Sequence, residues 1–138
     1  MCVAVDGSEH AVNAVRHAIE MARRISDTQV LLVNVQPPAM SGEVSNLLTA
    51  EEVMAQHTAR GEAALAGAKA LLDAARVPYE AEIVIGTPAE TVVEYAAKRA
   101  CDLIVVGASS HGRVRMLVLG SVASKIVRSA ECPVTVVK

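Results

Sequence analysis

The chain has 138 residues, of which 52% are hydrophobic, and it carries a formal charge of −2 at neutral pH. This length fits a single domain, residues 1–138, and no apolar run reaches the roughly 18 residues that a membrane span needs. A weakly acidic chain whose aromatic residues are two tyrosines lacks the positive charge and the stacking surfaces of nucleic-acid binders. Because no secretory leader opens the sequence, we expect a cytoplasmic protein that binds neither membranes nor nucleic acid.

The three cysteines, Cys2, Cys101 and Cys132, are widely separated and lack Cys-x-x-Cys spacing. The four histidines do not supply the ligand spacing of a zinc site either. We therefore interpret the cysteines as small buried hydrophobic residues in a reducing compartment and predict no metal site made by the protein alone.

The first predicted unit is a short strand followed by a helix. The strand Val3–Val5 ends at Asp6-Gly7-Ser8, where the Ser8 hydroxyl is suited to cap the helix. Apolar residues then recur at helical spacing, which predicts the buried face of that helix. They are Val12, Val15, Ile19 and Ala22, flanked by Ala11, Ala18 and Ile25.

A second strand and a long helix follow. Val30–Val35 is a continuous apolar run, as expected of a strand that is buried on both faces. After a long connection over residues 36–48, Thr49 and Glu52 form a capping box. This box predicts the start of a helix that continues to about Arg76, where Val77-Pro78 ends it.

The third strand differs from the second. Tyr79–Ile85 alternates between apolar and polar residues and carries Glu80 and Glu82. Alternation and charge are typical of a half-exposed strand, so we expect this strand at an edge of the sheet. The helix after it is predicted to start at Thr87-Pro88 and to bury one face. That face consists of Ala89, Val92, Val93 and Ala96.

The last third of the chain holds a strand, a loop, a helix and a final strand, Val134–Val137. The strand Leu103–Val106 leads into a polar, glycine-bearing loop that ends at Gly120-Ser121. We predict Ser121 as the N-cap of a helix to about Ala130. Its inward-facing residues are predicted to be Val122, Ile126 and Val127. A strand, a glycine-bearing loop and a helix N-terminus together predict an anion site, because free amides and the helix dipole favour negative charge there.

Four strand–helix units closed by a fifth strand predict a three-layer α/β domain with a mostly parallel sheet. Several stretches in this order resemble the universal stress protein family. They are VAVDGS at 3–8, LLVNVQPP at 31–38, IVVGASSHG at 104–112, LGSVASKIV at 119–127 and CPVTVV at 132–137. Gly107, Gly120 and Ser121 also stand at the spacing of that family's G-x-x-G-x9-G-S/T nucleotide signature. Ser110 occupies the position of the second glycine, and the nearest glycine is Gly112.

The resemblance implies a Rossmann-like three-layer α/β/α fold with the five strands in the order 3-2-1-4-5. It also implies an ATP or other adenine-nucleotide site where strands 1 and 4 end, with Mg²⁺ or Mn²⁺ on the phosphates. The site residues that it implies are Ala4, Val5, Asp6, Val35, Gly107, Ser110, Gly112, Gly120, Ser121 and Val122. From the residues alone, Asp6 is either a turn residue bonded to its own loop or a carboxylate that contacts ribose or a metal ion.

Two functions remain open at this point. The first is a stress-response regulator that changes its partner interactions with nucleotide occupancy. The second is a dimeric interaction protein of the same fold whose site is degenerate and binds no nucleotide. No nucleophile and base are recognisable as a catalytic set, so we predict no enzyme, with slow ATP hydrolysis or autophosphorylation left open as incidental. The uncharged final strand, Val134–Val137, predicts a homodimer formed by edge pairing.

Overall fold

The computed structural model describes residues 1–38, 49–108 and 119–138, and within these ranges strands and helices alternate. The strands are β1 (Cys2–Ala4), β2 (Val30–Gln36), β3 (Tyr79–Ile85), β4 (Ile104–Gly107) and β5 (Val134–Val137). The helices are α1 (Glu9–Arg24), α2 (Ala50–Ala75), α3 (Pro88–Lys98) and α4 (Ser121–Ser129). None of the helices in this described part is long and apolar enough to cross a membrane.

The five strands form one sheet in the order β3-β2-β1-β4-β5, and each neighbouring pair is parallel. Strand β1 lies at the centre, where Val3 is in register with Leu32 of β2 and with Val105 of β4. The chain builds outward from β1 on one side and then on the other, so the winding direction changes between β1 and β4. This confirms the predicted fold, strand order and edge position of β3, and it fixes the switch point where open α/β sheets bind ligands.

The core has two layers because successive side chains of each strand point to opposite faces of the sheet. On one face, Val3, Leu32 and Val105 pack against α1 and α2. On the other face, Cys2 and Ile104 pack against α3 and α4. Each helix therefore covers the sheet with one apolar stripe.

The stripe of α1 differs from the predicted one. Its buried residues are Ala11, Ala14, Val15, Ala18 and Ile19. Val12 and Ala22 are only partly buried, so the stripe is rotated toward the alanines, whose small side chains let the helix lie close to the sheet. Ile25 is wrong as a core residue, because it is the extended C-cap of α1 and its side chain is 53% exposed.

The inward-facing residues predicted for α4 are also partly wrong. Ala123 and Ile126 are buried, whereas Val127 is 46% exposed. The reason is that one residue advances the helix by about 100°, so Val127 is turned away from the sheet that Ile126 faces. In α3, Tyr95 is buried together with Ala89, Val92 and Ala96 of the predicted face.

Candidate functional site

A cavity of about 410 Å³ lies at the carboxyl ends of β1, β2 and β4. Its volume is within the range of roughly 300–1,000 Å³ that small-molecule sites occupy. The first turns of α1, α3 and α4 close its sides. The described residues that line it are Ala4, Val5, Asp6, Ser8, His10, Ala11, Val33, Val35, Pro88, Val92, Val106, Gly107, Gly120, Ser121, Val122 and Ala123.

Eight of the ten residues that the sequence singles out line this one cavity. They are Ala4, Val5, Asp6, Val35, Gly107, Gly120, Ser121 and Val122. The other two, Ser110 and Gly112, lie outside the described residues. The fold thus brings together positions more than 100 residues apart, and their contact with a nucleotide stays a prediction.

Two hydrogen bonds hold the ends of the loop between β4 and α4 together. The backbone N–H of Ala108 donates to the carbonyl oxygen of Val137 at 2.7 Å, which extends the pairing of β4 with β5. The N–H of Gly120 then donates to the carbonyl oxygen of Ala108 at 2.6 Å. The start of α4 is therefore fixed directly beside the end of β4, and Gly107 and Gly120 meet in the same wall.

Gly107 lets α1 approach the end of β4. A Cβ atom at this position would lie 2.7 Å from the carbonyl carbon of His10 and 2.8 Å from its carbonyl oxygen. Real Cβ atoms do not approach backbone atoms this closely, so another residue here would displace the first turn of α1. The glycine is required by packing, whether or not a ligand also contacts it.

The N-terminus of α1 is capped by a side chain of its own loop. The Ser8 hydroxyl accepts a hydrogen bond from the N–H of Ala11 at 3.2 Å, which confirms the predicted cap. One carboxylate oxygen of Asp6 accepts from the N–H of Ser8 at 2.9 Å. Asp6 thus has the turn role that was one of its two interpretations, and it is exposed at the cavity, where its second carboxylate oxygen has no donor among the described residues.

The N-terminus of α4 differs, and the prediction of Ser121 as its N-cap is wrong. Gly120 is the cap residue, and no side chain among the described residues caps the helix. The cap shifts because the bond from Gly120 to Ala108 holds Gly120 extended, while its carbonyl oxygen already accepts the first helical bond from Ser124 at 2.9 Å. Ser121 is the first helical residue, and it lies exposed at the rim of the cavity.

The start of α3 resembles that of α4. Thr87 is the cap residue but makes no side-chain cap bond, and Pro88 occupies the first helical position and lines the cavity. Helix N-termini carry partial positive charge from the helix dipole and from amides without intrahelical partners. The described part of the lining contains no lysine or arginine, and its carboxylate is Asp6. Its attraction for an anion therefore comes from backbone amides.

The floor of the cavity is apolar. Val33 and Val35 of β2, Val106 of β4 and Val92 of α3 face it. The sequence reasoning missed all of these except Val35. Strand alternation was the available signal for Val33, which lies two residues before Val35 and therefore on the same face. An apolar floor beside free amides suits a ligand with a flat apolar part and an anionic part.

His10 was also missed. It lines the cavity in the first turn of α1, and its Nδ1 atom is buried without a hydrogen-bond partner among the described residues. No group of three or more His, Cys, Asp or Glu side chains in the described ranges is arranged to hold a metal ion.

The domain has three layers, with a parallel sheet between two layers of helices, and several helix N-termini surround the cavity at the switch point. This arrangement defines the open α/β class of ligand-binding domains. Within that class the chain belongs to the universal stress protein family, because a sequence model described as "Universal stress protein family" matches residues 1–138. This agrees with the resemblance in the strand ends and the loop after β4.

Curated relatives support the family across the whole chain. A universal stress protein of Methanocaldococcus jannaschii is 35% identical over 144 residues, covering 99% of this chain and 79% of the relative. One from Thermus aquaticus is 34% identical over 137 residues, covering 99% and 96%. Among solved structures, UspA from Lactobacillus plantarum superposes with a TM-score of 0.82 at 24% identity, covering 99% and 95%, which shows the shared fold.

Two solved relatives are described with adenine nucleotides. A universal stress protein in complex with cAMP is 26% identical, with a TM-score of 0.67 and coverage of 99% of this chain and 94% of that one. A family protein from Arabidopsis thaliana with AMP bound is 23% identical, with a TM-score of 0.68 and coverage of 99% and 89%. Adenine-nucleotide binding is thus a property of some proteins with this fold.

Proposed function

We propose that this protein is a nucleotide-binding stress-response regulator that binds ATP, or another adenine nucleotide, in the cavity between β1 and β4. The observation that carries the proposal is the N-terminus of α4, which has no side-chain cap from the described part of the chain and lines a cavity with an apolar floor. Free amides at a helix N-terminus bind phosphate, and the apolar floor accommodates a base. The solved relatives with AMP and cAMP support the same ligand class.

We assign different described residues to the phosphate, the adenine and the ribose of the proposed ligand. We expect the amides of Ser121 and Val122, with the Ser121 hydroxyl, to bind phosphate oxygens. The adenine ring fits the apolar floor beside Val35, whose backbone groups are at the end of β2. The second carboxylate oxygen of Asp6 is suited to accept a hydrogen bond from a ribose hydroxyl.

A divalent cation would bind through the phosphates. Mg²⁺ prefers oxygen ligands and is commonly held by phosphates together with one or two carboxylates. Asp6 is the carboxylate of the described lining, and we therefore propose that Mg²⁺ or Mn²⁺ strengthens ATP binding. We propose binding without productive turnover, since the described lining offers no nucleophile held by a base.

Isothermal titration calorimetry of the full chain with ATP, with and without Mg²⁺, tests the proposal. We expect a dissociation constant between micromolar and millimolar that is lower with Mg²⁺ and raised about threefold to tenfold by Ser121→Ala, since the hydroxyl is one of several phosphate ligands. Ser129→Ala, at the opposite end of α4, is the matched control and should bind as the unmodified chain does. Absence of heat and of any melting-temperature shift at saturating ATP would support the dimeric interaction protein with an empty site instead.

Ser110 provides a second test, although it lies outside the described residues. If the family's second glycine is needed for close phosphate approach, Ser110→Gly strengthens ATP binding. If the serine hydroxyl is itself a phosphate ligand, the same change weakens it. Equal affinities would show that this position does not contact phosphate.

We also propose that the regulator is a homodimer through β5. Strand β5 is at the edge of the sheet opposite β3, and each residue of Val134–Val137 is partly exposed. Val127 of α4 is 46% exposed. Edge strands without charge pair readily, and antiparallel pairing of two copies about a two-fold axis closes the assembly.

Sedimentation at tens of micromolar tests the dimer. We expect a dimer for the unmodified chain and a monomer for Val136→Asp, because the charge would be buried at the strand pair. Ala81→Asp on the opposite edge strand β3 is the matched control and should stay dimeric. A monomeric unmodified chain would refute this part of the proposal.

A further inference from the structure

The strand β2 contains two buried polar side chains in an otherwise apolar run. Asn34 is 2% exposed and Gln36 is 9% exposed. Both lie on the face of the sheet covered by α1 and α2, because they alternate with Val33 and Val35, which face the cavity. Polar side chains at such depth are costly unless they are hydrogen-bonded, so their partners indicate what they do.

The two side chains form a relay that ends on β1. The side-chain amide of Gln36 donates from Nε2 to Oδ1 of Asn34 at 2.7 Å. Asn34 in turn donates from Nδ2 to the backbone carbonyl oxygen of Val5, also at 2.7 Å. Each Asn34 amide atom thus has a partner, and the relay is fixed in one orientation.

Val5 is the residue that the relay holds. It lies one position beyond the end of β1, where regular pairing stops, and its N–H donates to the carbonyl oxygen of Val33 at 2.9 Å. The bond from Asn34 fixes the carbonyl group of the same residue. Val5 directly precedes Asp6, so these two bonds set where the Asp6-Gly7-Ser8 turn leaves the sheet.

Gln36, at the other end of the relay, is also connected to the opposite wall of the cavity, through its backbone. The backbone carbonyl oxygen of Gln36 accepts from the N–H of Gly86 at 2.9 Å. Gly86 lies two residues before Pro88, which opens α3 and lines the cavity. The same short stretch of β2 therefore anchors the turn at one side of the cavity and the start of α3 at the other.

We propose that Asn34 is a positioning residue for the ligand cavity: through the carbonyl of Val5 it holds the Asp6–Ser8 turn in the geometry that binds. Its effect on affinity rests on the proposed nucleotide function, but its effect on the turn does not. Without the Asn34 donor, the buried Val5 carbonyl has lost its side-chain partner and the turn can shift. The role is distinct from contact, because Asn34 is on the other face of the sheet from the ligand.

The test compares Asn34→Leu with Val30→Ala in the full chain. Leucine matches the shape of asparagine but cannot donate, whereas Val30→Ala weakens the same strand four residues, or roughly 13 Å, from Asn34. ATP affinity is to be measured by calorimetry under conditions in which each variant is fully folded. Asn34→Leu should raise the dissociation constant about fivefold to thirtyfold, and Val30→Ala should leave it within twofold despite its own loss of stability.

A second measurement does not involve nucleotide. The N–H of Ser8 is bonded to Asp6, and its hydrogen exchange should become about tenfold or more faster in Asn34→Leu. In Val30→Ala, the exchange of Ser8 should change no more than the loss of global stability explains. Gln36→Leu, which removes the far bond of the relay and keeps the bond to Val5, should give a smaller effect and serves if Asn34→Leu does not fold.

The outcomes separate the two proposals. Faster Ser8 exchange in a protein that binds no ATP supports the relay and refutes the nucleotide function. Unchanged Ser8 exchange in Asn34→Leu, or affinity that falls equally in Val30→Ala, would overturn the positioning role. Faster exchange with unchanged ATP affinity would likewise show that the turn is held by Asn34 but does not control the site.

Discussion

Two cavities of similar size lie at opposite ends of the sheet. The one at the carboxyl ends of the strands has a volume of about 410 Å³, and a groove at the amino ends has about 390 Å³. The first is surrounded by the N-termini of α1, α3 and α4, whereas the second lies between the C-terminal ends of α1 and α2. The described lining of the groove is Ala22, Arg23, Ile25, Ser26, Asp27, Thr28, Ala75, Arg76, Val77 and Pro78.

The two cavities differ in their electrostatics although their volumes are similar. Helix C-termini carry partial negative charge, and Arg23 and Arg76 at the groove complement that charge. At the carboxyl end the polarity is reversed, and within residues 1–38, 49–108 and 119–138 no side chain caps the first amides of α4. In a parallel α/β domain each helix starts near a strand's carboxyl end, so the chain's direction decides which end attracts phosphate.

The largest expected effect comes from breaking the carboxyl-end wall with Gly107→Ala. The added Cβ would lie 2.7–2.8 Å from backbone atoms of His10, which cannot move without shifting the first turn of α1. We expect a loss of about 2–3 kcal/mol in the free energy of unfolding, as overpacked sites show. Urea denaturation measures it.

Gly67→Ala is the matched control for that variant. Gly67 lies inside α2, and a Cβ there would meet no heavy atom within 4 Å. Alanine has a better helix propensity than glycine, so we expect a gain of about 0.5–1 kcal/mol. If Gly107→Ala were as stable as the unmodified chain, close packing of α1 on β4 would not be the reason for this glycine.

The sequence predicted the fold far better than the details of the site. The strand order followed from the family resemblance, and the edge position of β3 followed from its alternation and charge. The caps at Ser8 and Thr49 followed from local signals, the second from the capping-box pattern. The cap of α4 was misplaced by one residue because the bond between Gly120 and Ala108 is a tertiary contact. The role of Asn34 was missed because its partner, the Val5 carbonyl, is 29 positions away and carries no sequence signal.

A pH titration tests the amino end of β1, which lies opposite the carboxyl-end cavity. Cys2 is fully buried at the amino end of the sheet, and burial, followed by its neighbour Cys101, raises the pKa of its thiol from 9.0 to about 12. The folded state keeps this proton while the unfolded state loses it. Stability is therefore fully present below about pH 9 and falls between pH 9 and pH 12, by roughly 1.4 kcal/mol per pH unit at most.

Variants show which group causes the fall of stability with pH. Denaturant unfolding between pH 8 and pH 10 should show a shallower fall in Cys2→Ala than in the unmodified chain. Burial also raises the pKa of Cys101, and burial with the Glu82 hydrogen bond raises the pKa of Tyr95, so Cys101→Ala and Tyr95→Phe are measured beside it. An unchanged slope in Cys2→Ala would show that its thiol titrates as in the unfolded chain.

The two serines at the carboxyl-end cavity should separate stability from binding. Ser8 caps α1, so Ser8→Ala should cost about 1 kcal/mol of stability, as lost N-caps do. Ser121 makes no cap bond, so Ser121→Ala should change stability by less than about 0.5 kcal/mol and weaken ATP binding instead. Thermal unfolding and calorimetry on both variants check this, and equal stability losses would mean that Ser121 also caps its helix.

A small effect is expected at the amino-end groove, from Arg76→Gly. Arg76 is the C-cap of α2 and has a left-handed backbone with φ of 55°, a conformation that glycine adopts without the steric cost of a Cβ. The change also removes a cation from the groove. Stability should rise by about 0.5–1 kcal/mol, because relief of the backbone outweighs the loss of an exposed charge. ATP affinity should stay within twofold, since the proposed phosphate site lies at the opposite end of the sheet. A tenfold loss of affinity in this variant would place the anion at the groove and would reverse the assignment of the two cavities.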